Sequence, residues 1–265
     1  MAQGEYCWLM SDDDLLKPGA VELVLDRIRQ NYALIIVNAE IRNADLSERI
    51  EERRLPISVD RVYAWTDYQD LMAEVGPYLS YIGCVVINRQ LWNEREKDKY
   101  FGTDHIHVGV IFQRPLRQPT LVIAEPLISL RYGNAIWSAR SFEIWMFKWP
   151  RLIWSFSDYS DSVKRRVGPR EPWRKTLTLL SLRGIGVYSP KEYSHWLKPR
   201  LTAWSERLIP SIIAHLPGCW VNFLGIIYFS FFRRRSNLSL WDLKNSRFYY
   251  VNCFRRLYRK TFGGL

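Results

Sequence analysis

Residues 4–20 read GEYCWLMSDDDLLKPGA and contain the strongest structural signal in the chain. An apolar run from Tyr6 to Met10 ends at three consecutive carboxylates, and Pro18-Gly19 then opens a helix. This order is typical of a buried strand that delivers acidic side chains to the edge of a sheet. Adjacent carboxylates repel one another and need a cation or solvent close by. The stretch therefore predicts either a divalent-metal site or a solvated acidic turn.

The segments that follow continue an alternating pattern. Apolar residues within 21–28 fall on one helix face, and residues 67–75 also predict a helix. Residues 33–38 and 81–89 predict buried strands, and two further apolar pieces lie within 121–130. Residues 40–60 are highly charged and predict a surface loop with a short helix. Together these segments alternate predicted strands with predicted helices, as in an α/β fold.

The acid-rich stretch resembles the metal-binding motif of the family 2 glycosyltransferases of the GT-A fold, especially the branch of bacterial abequosyltransferase-like O-antigen enzymes. In that family a strand, an acid turn and a Pro-Gly-Ala sequence carry a DXD motif, often Asp-X-Asp-Asp, which places Ser11 at the first aspartate. The resemblance implies that Asp13 and Asp14 hold Mn²⁺ or Mg²⁺, and that Asp12 and Asp14 contact the donor nucleotide. It also implies an α/β fold with a GT-A-like, Rossmann-like mixed sheet flanked by helices.

Two more strings of this branch occur further along. Residues 88–92 match its Asn-Arg-X-X-Trp string, which follows the strand beneath the acceptor site. Residues 102–104 match its Gly-Glu-Asp segment, whose last acid is the base of inverting members, so the resemblance implies that Asp104 is the catalytic base. Thr103 or Asp104 also suits the N-cap of the helix that follows. His107 would share the face of Asp104 and suits an acceptor contact or a structural role.

A further match is the string Arg-Tyr-Gly-Asn-X-X-Trp at residues 131–137. The resemblance implies that Arg131 faces the diphosphate of the donor and that Trp137 offers a stacking surface to a sugar. The alternative is a loop that carries a core tryptophan.

The resemblance covers about residues 1–150 and begins late in the pattern of the family. A GT-A domain starts with a strand, a helix and a strand that bind the nucleobase, whereas this sequence starts just before the acid motif. We therefore expect residues 1–140 to form an N-terminally truncated GT-A catalytic domain. No signal peptide is expected ahead of the first strand.

The formal net charge of +11 comes from the C-terminal third of the chain. Residues 176–265 hold 14 Lys and Arg against three acids, whereas residues 1–175 hold 24 of each sign. This distribution predicts an anionic partner for the tail, either a membrane surface or a polyphosphate. A nucleic acid is not expected, because the basic residues accompany a long apolar run rather than a polar face.

Residues 141–265 are expected to form a helical, aromatic and basic extension. Its residues 208–232 lack charged side chains other than a neutral histidine and are long enough to span a bilayer. Pro217-Gly218 divides this run, which favours monotopic seating in the membrane plane, with Arg233–Arg235 and Arg255-Arg256 on anionic headgroups. A spanning segment and soluble helices packed on the catalytic domain are the alternatives.

The predicted location is the cytoplasmic face of the inner (plasma) membrane. Cys7 and Cys84 lie in apolar runs without a metal-binding spacing, which indicates buried free thiols in a reducing compartment.

With the resemblance, these residues predict a metal-dependent, inverting glycosyltransferase. It would move a sugar from a nucleotide-diphosphate donor to a lipid-linked saccharide acceptor during surface polysaccharide synthesis. One alternative is a glycoside hydrolase that works with a pair of carboxylates and needs no metal. The other is an inactive fragment or binding protein that has lost the donor site.

Overall fold

The computed structural model describes residues 2–133, 140–232 and 237–252. The chain divides into two compact units. The first comprises residues 1–135 and 148–170, and the second comprises residues 136–147 and 171–265. The chain therefore leaves the first unit, returns to it and leaves it again. The domain boundary at residue 140 stays a prediction.

The first unit is built on one seven-stranded sheet. Its strands are β1 (Tyr6–Trp8), β2 (Leu15–Leu16), β3 (Leu34–Asn43), β4 (Arg49–Glu51), β5 (Arg61–Tyr63), β6 (Val85–Asn88) and β7 (Thr120–Tyr132). The strand order is β1-β6-β3-β7-β2, with β4 paired to β3 and β5 paired to β7. Strands β3 and β7 are parallel, and the other pairs are antiparallel.

The described ranges of the two units also contain α-helices. In chain order they are α1 (Ala20–Ile28), α2 (Tyr68–Val75), α3 (Arg89–Glu94), α4 (Ile106–Phe112), α5 (Ser141–Glu143), α6 (Trp149–Trp154), α7 (Asp161–Val167), α8 (Thr176–Ile185), α9 (Pro190–Glu192), α10 (Trp204–His215), α11 (Gly218–Phe232) and α12 (Asn237–Lys244). The predicted α/β class, with a mixed sheet flanked by helices, is confirmed.

The sheet buries both of its faces, because successive side chains of a strand point to opposite sides. Leu34 and Ile36 of β3 belong to one apolar cluster, which also contains residues of α2, α4, α6 and α7. Ile35 and Val37 of the same strand belong to a second cluster, which contains Ala20 of α1. Burial on both sides explains why this strand is a continuous apolar run in the sequence.

Several elements differ from the sequence-based expectations. Strand β3 continues to Asn43 and pairs with β4, so residues 40–60 contain strand where a short helix is predicted. The two apolar pieces within 121–130 form the single strand β7. Strand β6 begins only at Val85, because a short helical turn occupies Ile82–Cys84. Cys7 and Cys84 are free thiols, Cys84 buried and Cys7 half-buried.

A β-bulge interrupts the pairing of β3 with β7 at Asn38. Asn38 is fully buried. Its side-chain amide donates to the carbonyls of Leu55 and Ala124 at 3.0 Å. Its side-chain carbonyl accepts from the backbone N–H groups of Ala39 and Leu55 at 2.9 Å. One polar side chain thus satisfies a backbone group of each strand beside the bulge and also joins Leu55 to the sheet.

The second unit has an apolar core of its own. Tyr188 is fully buried there, stacks on Phe142 with ring centroids 5.2 Å apart, and donates its hydroxyl hydrogen to the Pro210 carbonyl. The predicted break at Pro217-Gly218 is confirmed, since α10 and α11 meet there at 94°. Within the described ranges, no single helix has the length and apolar character to cross a membrane. The bent pair of α10 and α11 has the length and apolar character of a membrane span only when the two helices are taken together.

Candidate functional site

The acid loop, residues 9–14, lies at the carboxyl edge of the sheet. Strands β1 and β3 are both antiparallel to β6, so β1 runs in the same direction as β3 and β7. The loop leaves β1 and leads to β2, which pairs with the C-terminal part of β7 at the other end of the strand order. It therefore crosses the edge at which β1, β3 and β7 end, where open α/β sheets bind their ligands.

Asp14 closes the acid loop and ties it to β7. One carboxylate oxygen accepts a hydrogen bond from the Ser11 hydroxyl, and the other accepts from the backbone N–H of Arg131 at 2.8 Å. A serine at position 11 can donate this bond, whereas a second carboxylate there would repel Asp14. The structure thus brings together Asp14 and Arg131, two residues predicted for the donor site.

Asp12 and Asp13 carry the remaining charge of the acid loop, with Asp12 exposed and Asp13 half-buried. Their chemistry fits a hard divalent cation shared with phosphate oxygens, because such ions are bound through one or two carboxylates plus the substrate. Among the residues that the structure describes, no three or more His, Cys, Asp or Glu side chains form a group that could hold a metal. Metal binding by Asp13 and Asp14 stays a prediction, and Asp14 is already engaged by two protein donors.

Two buried polar atoms beside the acid loop have no hydrogen-bond partner: the Tyr81 hydroxyl oxygen and the Arg131 Nε. The Arg131 guanidinium also donates to the Ala44 carbonyl at 3.2 Å. Burial, and next the negative charge of Asp14, raise the pKa of Tyr81, so its phenol stays protonated at neutral pH. Both atoms are donors, and buried donors are normally paired. They suit a ligand with acceptor oxygens, such as a phosphate.

A buried carboxylate that the sequence analysis missed, Glu40, contacts the segment that follows the acid loop and β2. Glu40 accepts hydrogen bonds from Arg42 Nε at 2.6 Å and from the Ser129 hydroxyl at 2.7 Å, and it pairs with Lys17 at 3.5 Å. Burial alone would raise its pKa, but these bonds and charges lower it overall. Glu40 is therefore ionised at neutral pH and joins β3 and β7 to Lys17, in the segment between β2 and α1.

Asp104 lies in the turn before α4, with a left-handed φ of 65° that aspartate tolerates better than most residues. Its carboxylate accepts a 2.6 Å hydrogen bond from the Lys148 ammonium, and each side chain is 19% exposed. The N-cap of α4 is His105. The alternative in which Asp104 or Thr103 is the N-cap is therefore wrong, because the helix starts one residue later. No local pattern could have identified Lys148, which is 44 residues from its partner.

His107 is buried, and its Nε2 lies 2.6 Å from the Leu79 carbonyl. A carbonyl only accepts, so Nε2 carries the hydrogen in this contact. Burial lowers the pKa of His107 to about 4, which keeps the ring neutral at pH 7. This hydrogen bond is the structural role that the sequence left open. The acceptor contact of His107 stays a prediction, and Trp137 lies outside the described residues.

Residues 78–84 connect the two parts of the candidate site. The Trp8 indole N–H, next to the acid loop, donates to the Gly83 carbonyl at 2.8 Å. The Leu79 carbonyl meets His107, in the first turn of the helix that follows Asp104. The Tyr78 hydroxyl donates to the Val37 carbonyl of β3 at 2.6 Å, which fixes the segment to the sheet. Trp8, which precedes the acid loop, and His107, three residues after Asp104, are thus both hydrogen-bonded to one short segment of the first unit.

The sequence also shows likeness to a curated protein. No family model matches the chain. The abequosyltransferase RfbV of Salmonella typhimurium is 22% identical to it over 202 residues. The match covers 69% of this chain and 61% of RfbV, so the chain spans less than two thirds of that protein's length. Over this stretch, the chain is similar to a glycosyltransferase.

Proposed function

We propose that the chain transfers a sugar from a nucleotide-diphosphate donor to a saccharide acceptor. The observation that carries the proposal is the acid loop at the carboxyl edge of the sheet, which Asp14 closes onto Arg131 beside two unpartnered donors. The similarity to a glycosyltransferase supports the same class of reaction.

In the proposed reaction the protein binds the diphosphate and receives a proton. Bound Mn²⁺ or Mg²⁺ would neutralise charge on the leaving diphosphate, with Asp13 as its main protein ligand. The Arg131 Nε–H and the Tyr81 hydroxyl are the proposed protein donors to the phosphate oxygens. Asp104 takes the proton of an acceptor hydroxyl. The oxygen of that hydroxyl bonds to the anomeric carbon of the donor sugar as the bond from this carbon to the diphosphate breaks, which inverts the configuration of the carbon. Lys148 orients the Asp104 carboxylate through their hydrogen bond.

The proposed acceptor is a lipid-linked saccharide, and the proposed location is the cytoplasmic face of the inner membrane, in surface polysaccharide synthesis. The support is the net charge of +11 within residues 176–265 and the uncharged run within 208–232. An enzyme with such an acceptor has to work at a membrane surface, where its substrate is held.

Nucleotide binding tests the donor half of the proposal. UDP, GDP, CDP and dTDP would be titrated calorimetrically into the purified chain, with and without Mn²⁺. We expect one of them to bind in an Mn²⁺-dependent manner, and Asp13→Ala to weaken that binding by about tenfold or more, which is 1.4 kcal/mol. Asp26→Ala, the same change at an exposed position of α1, should leave the affinity unchanged. Failure of all four nucleotides to bind would overturn the proposal.

The base is tested in the transfer reaction with sugar donors of the nucleotide that binds. Asp104→Asn should keep nucleotide binding and lower the transfer rate by about 10²- to 10⁴-fold, because a carboxamide cannot accept the proton. Asp98→Asn, at an exposed position nearby, is the matched control. Full activity of Asp104→Asn would reject the role of this residue. Release of free sugar that EDTA does not affect would support the carboxylate-pair hydrolase instead.

A further inference from the structure

Two helices of the second unit expose apolar side chains at helical spacing. Ile209 of α10 and Phe232 of α11 are exposed as well. The residues at regular spacing are Trp204, Leu208 and Ile212 on α10, and Trp220, Leu224, Ile227 and Phe231 on α11. Their exposed fractions run from 37% at Ile227 to 75% at Trp204. Residues three or four positions apart lie on the same helix face, so each helix carries one continuous apolar stripe. We call these two faces the apolar stripes.

The faces on the other side of both helices pack within the second unit. Ile213 and Ala214 of α10 are buried in its core. Asn222 of α11 is fully buried, and its amide donates to the carbonyls of Gly184 and Leu243 at 3.1 and 2.9 Å. The inward side of α11 therefore carries a satisfied polar side chain, whereas its outward side is apolar. This reverses the usual arrangement of a helix on a water-soluble surface.

The electrostatics of this region favour an anionic partner. Helix α11 has no charged residue, and the one acid of α10, Glu206, is ion-paired with Arg174 at 2.9 Å. Residues 176–265 hold 14 cationic side chains against three acids. Trp204 and Trp220 lie near the first turns of their helices, and tryptophan favours the boundary between headgroups and acyl chains. A lipid surface satisfies the apolar stripes and this charge together, whereas a second copy of the chain would repeat the same positive charge.

The lengths and the angle of the two helices favour an in-plane arrangement. Helices of 12 and 15 residues are about 18 and 22 Å long, shorter than the roughly 30 Å core of a bilayer. The bend of 94° prevents the pair from forming one straight span. We propose that the apolar stripes of α10 and α11 dock the protein on an anionic lipid bilayer, with both helices in the plane of the membrane at the headgroup–acyl boundary.

Vesicle binding of the full chain tests this proposal. The wild-type chain would be sedimented with sucrose-loaded vesicles of phosphatidylcholine alone and of phosphatidylcholine with 30% phosphatidylglycerol. We expect binding that is stronger to the anionic vesicles and that weakens in 0.5 M NaCl, because salt screens the headgroup charge. The double variant Trp220→Ser/Leu224→Gln should lower the partition coefficient about tenfold or more.

The matched control is Trp65→Ser/Val59→Gln, which makes the same kinds of change at exposed apolar positions of the first unit. It should bind vesicles as the wild type does, and unfolding midpoints would show that both double variants fold. Equal vesicle binding of Trp220→Ser/Leu224→Gln and wild type would overturn the proposal. So would a lipid-free dimer that this variant abolishes in analytical ultracentrifugation. The variant Trp220→Ser/Leu224→Gln should still bind a nucleoside diphosphate in an Mn²⁺-dependent manner. The vesicle result therefore tests the docking surface, whereas the nucleotide result tests the sugar-transfer proposal.

Discussion

Asp14 makes both of its carboxylate oxygens acceptors for protein donors, the Ser11 hydroxyl and the Arg131 backbone N–H. From the sequence, Asp14 is predicted to hold the metal together with Asp13 and to contact the donor nucleotide together with Asp12. The structure gives Asp14 a role in shaping the acid loop, because a carboxylate with two donors in place fixes the backbone around it. A substitution of Asp14 would therefore change the backbone of the acid loop as well as its charge.

The buried ring of His107 predicts a stability that depends on pH. Its pKa is about 4 in the folded chain and about 6.5 in an unfolded one. Between these values the unfolded chain binds a proton that the folded chain does not. The contribution of His107 to the free energy of unfolding should therefore be complete above pH 6.5. As the pH drops to 4, the free energy of unfolding should fall by up to about 3 kcal/mol.

Urea unfolding of wild type and His107→Gln at pH 7 and pH 5 measures this contribution. Glutamine can still donate to the Leu79 carbonyl but does not titrate, so the variant should lose less stability at pH 5 than wild type does. Burial also lowers the pKa of His105. His105 therefore still makes the stability of the variant depend on pH. His195→Gln, at an exposed histidine, should behave as wild type. An unchanged difference between the two pH values in His107→Gln would contradict the prediction.

At the scale of elements, residues 78–84 link the acid loop to the turn that carries Asp104. This link predicts an effect of Gly83→Ala, because a Cβ at position 83 would overlap the Tyr81 hydroxyl. The phenol would have to move from its place beside Asp14. We expect Mn²⁺-dependent binding of a nucleoside diphosphate to weaken about tenfold while the fold is retained.

Isothermal titration of the variant against wild type checks this expectation. Gly168→Ala is the matched control, since a Cβ there meets the Trp149 ring nitrogen at an ordinary 3.5 Å. Its nucleotide affinity should equal that of wild type. If Gly83→Ala also binds with wild-type affinity, then Tyr81 takes no part in the donor site.

The extension of β3 shows where local patterns mislead. Residues 40–43 are rich in polar side chains and read as loop, yet they pair with β4 and with the C-terminal part of β7. Glu40 is tolerated there because Arg42, Ser129 and Lys17 surround its carboxylate. Two of these three partners come from other segments of the chain, so the pairing is visible only in the folded molecule.

At the scale of the molecule, the return of residues 148–170 to the first unit predicts which fragments fold. Helices α6 and α7 contribute to its core the residues Trp149, Leu152, Ile153, Val163 and Val167. A chain that ends at residue 140 lacks all of them. Each large core side chain removed costs about 3–5 kcal/mol, so losing several exceeds a typical total stability of about 5–15 kcal/mol.

Urea unfolding followed by circular dichroism would compare residues 1–140 with residues 1–170. We expect a cooperative transition for the longer fragment and none for the shorter one. The shorter fragment should instead bind hydrophobic dyes, as chains with an exposed core do. Equal transition midpoints for the two fragments would show that α6 and α7 do not complete this core.

Local pattern is sufficient to predict the α/β class, the position of the strand before the acid loop, and the break between α10 and α11. The prediction that this strand is buried is wrong, because β1 is a half-buried strand at the edge of the sheet. Apolar periodicity, adjacent carboxylates and proline act within a few residues, so their structural effects can be predicted from the sequence. The tertiary structure alone places Lys148 on Asp104, Asn38 at the bulge of β7, and the Leu79 carbonyl on His107. These contacts join residues far apart in sequence. They arise because buried polar groups must find partners wherever the packing of the sheet and helices brings them.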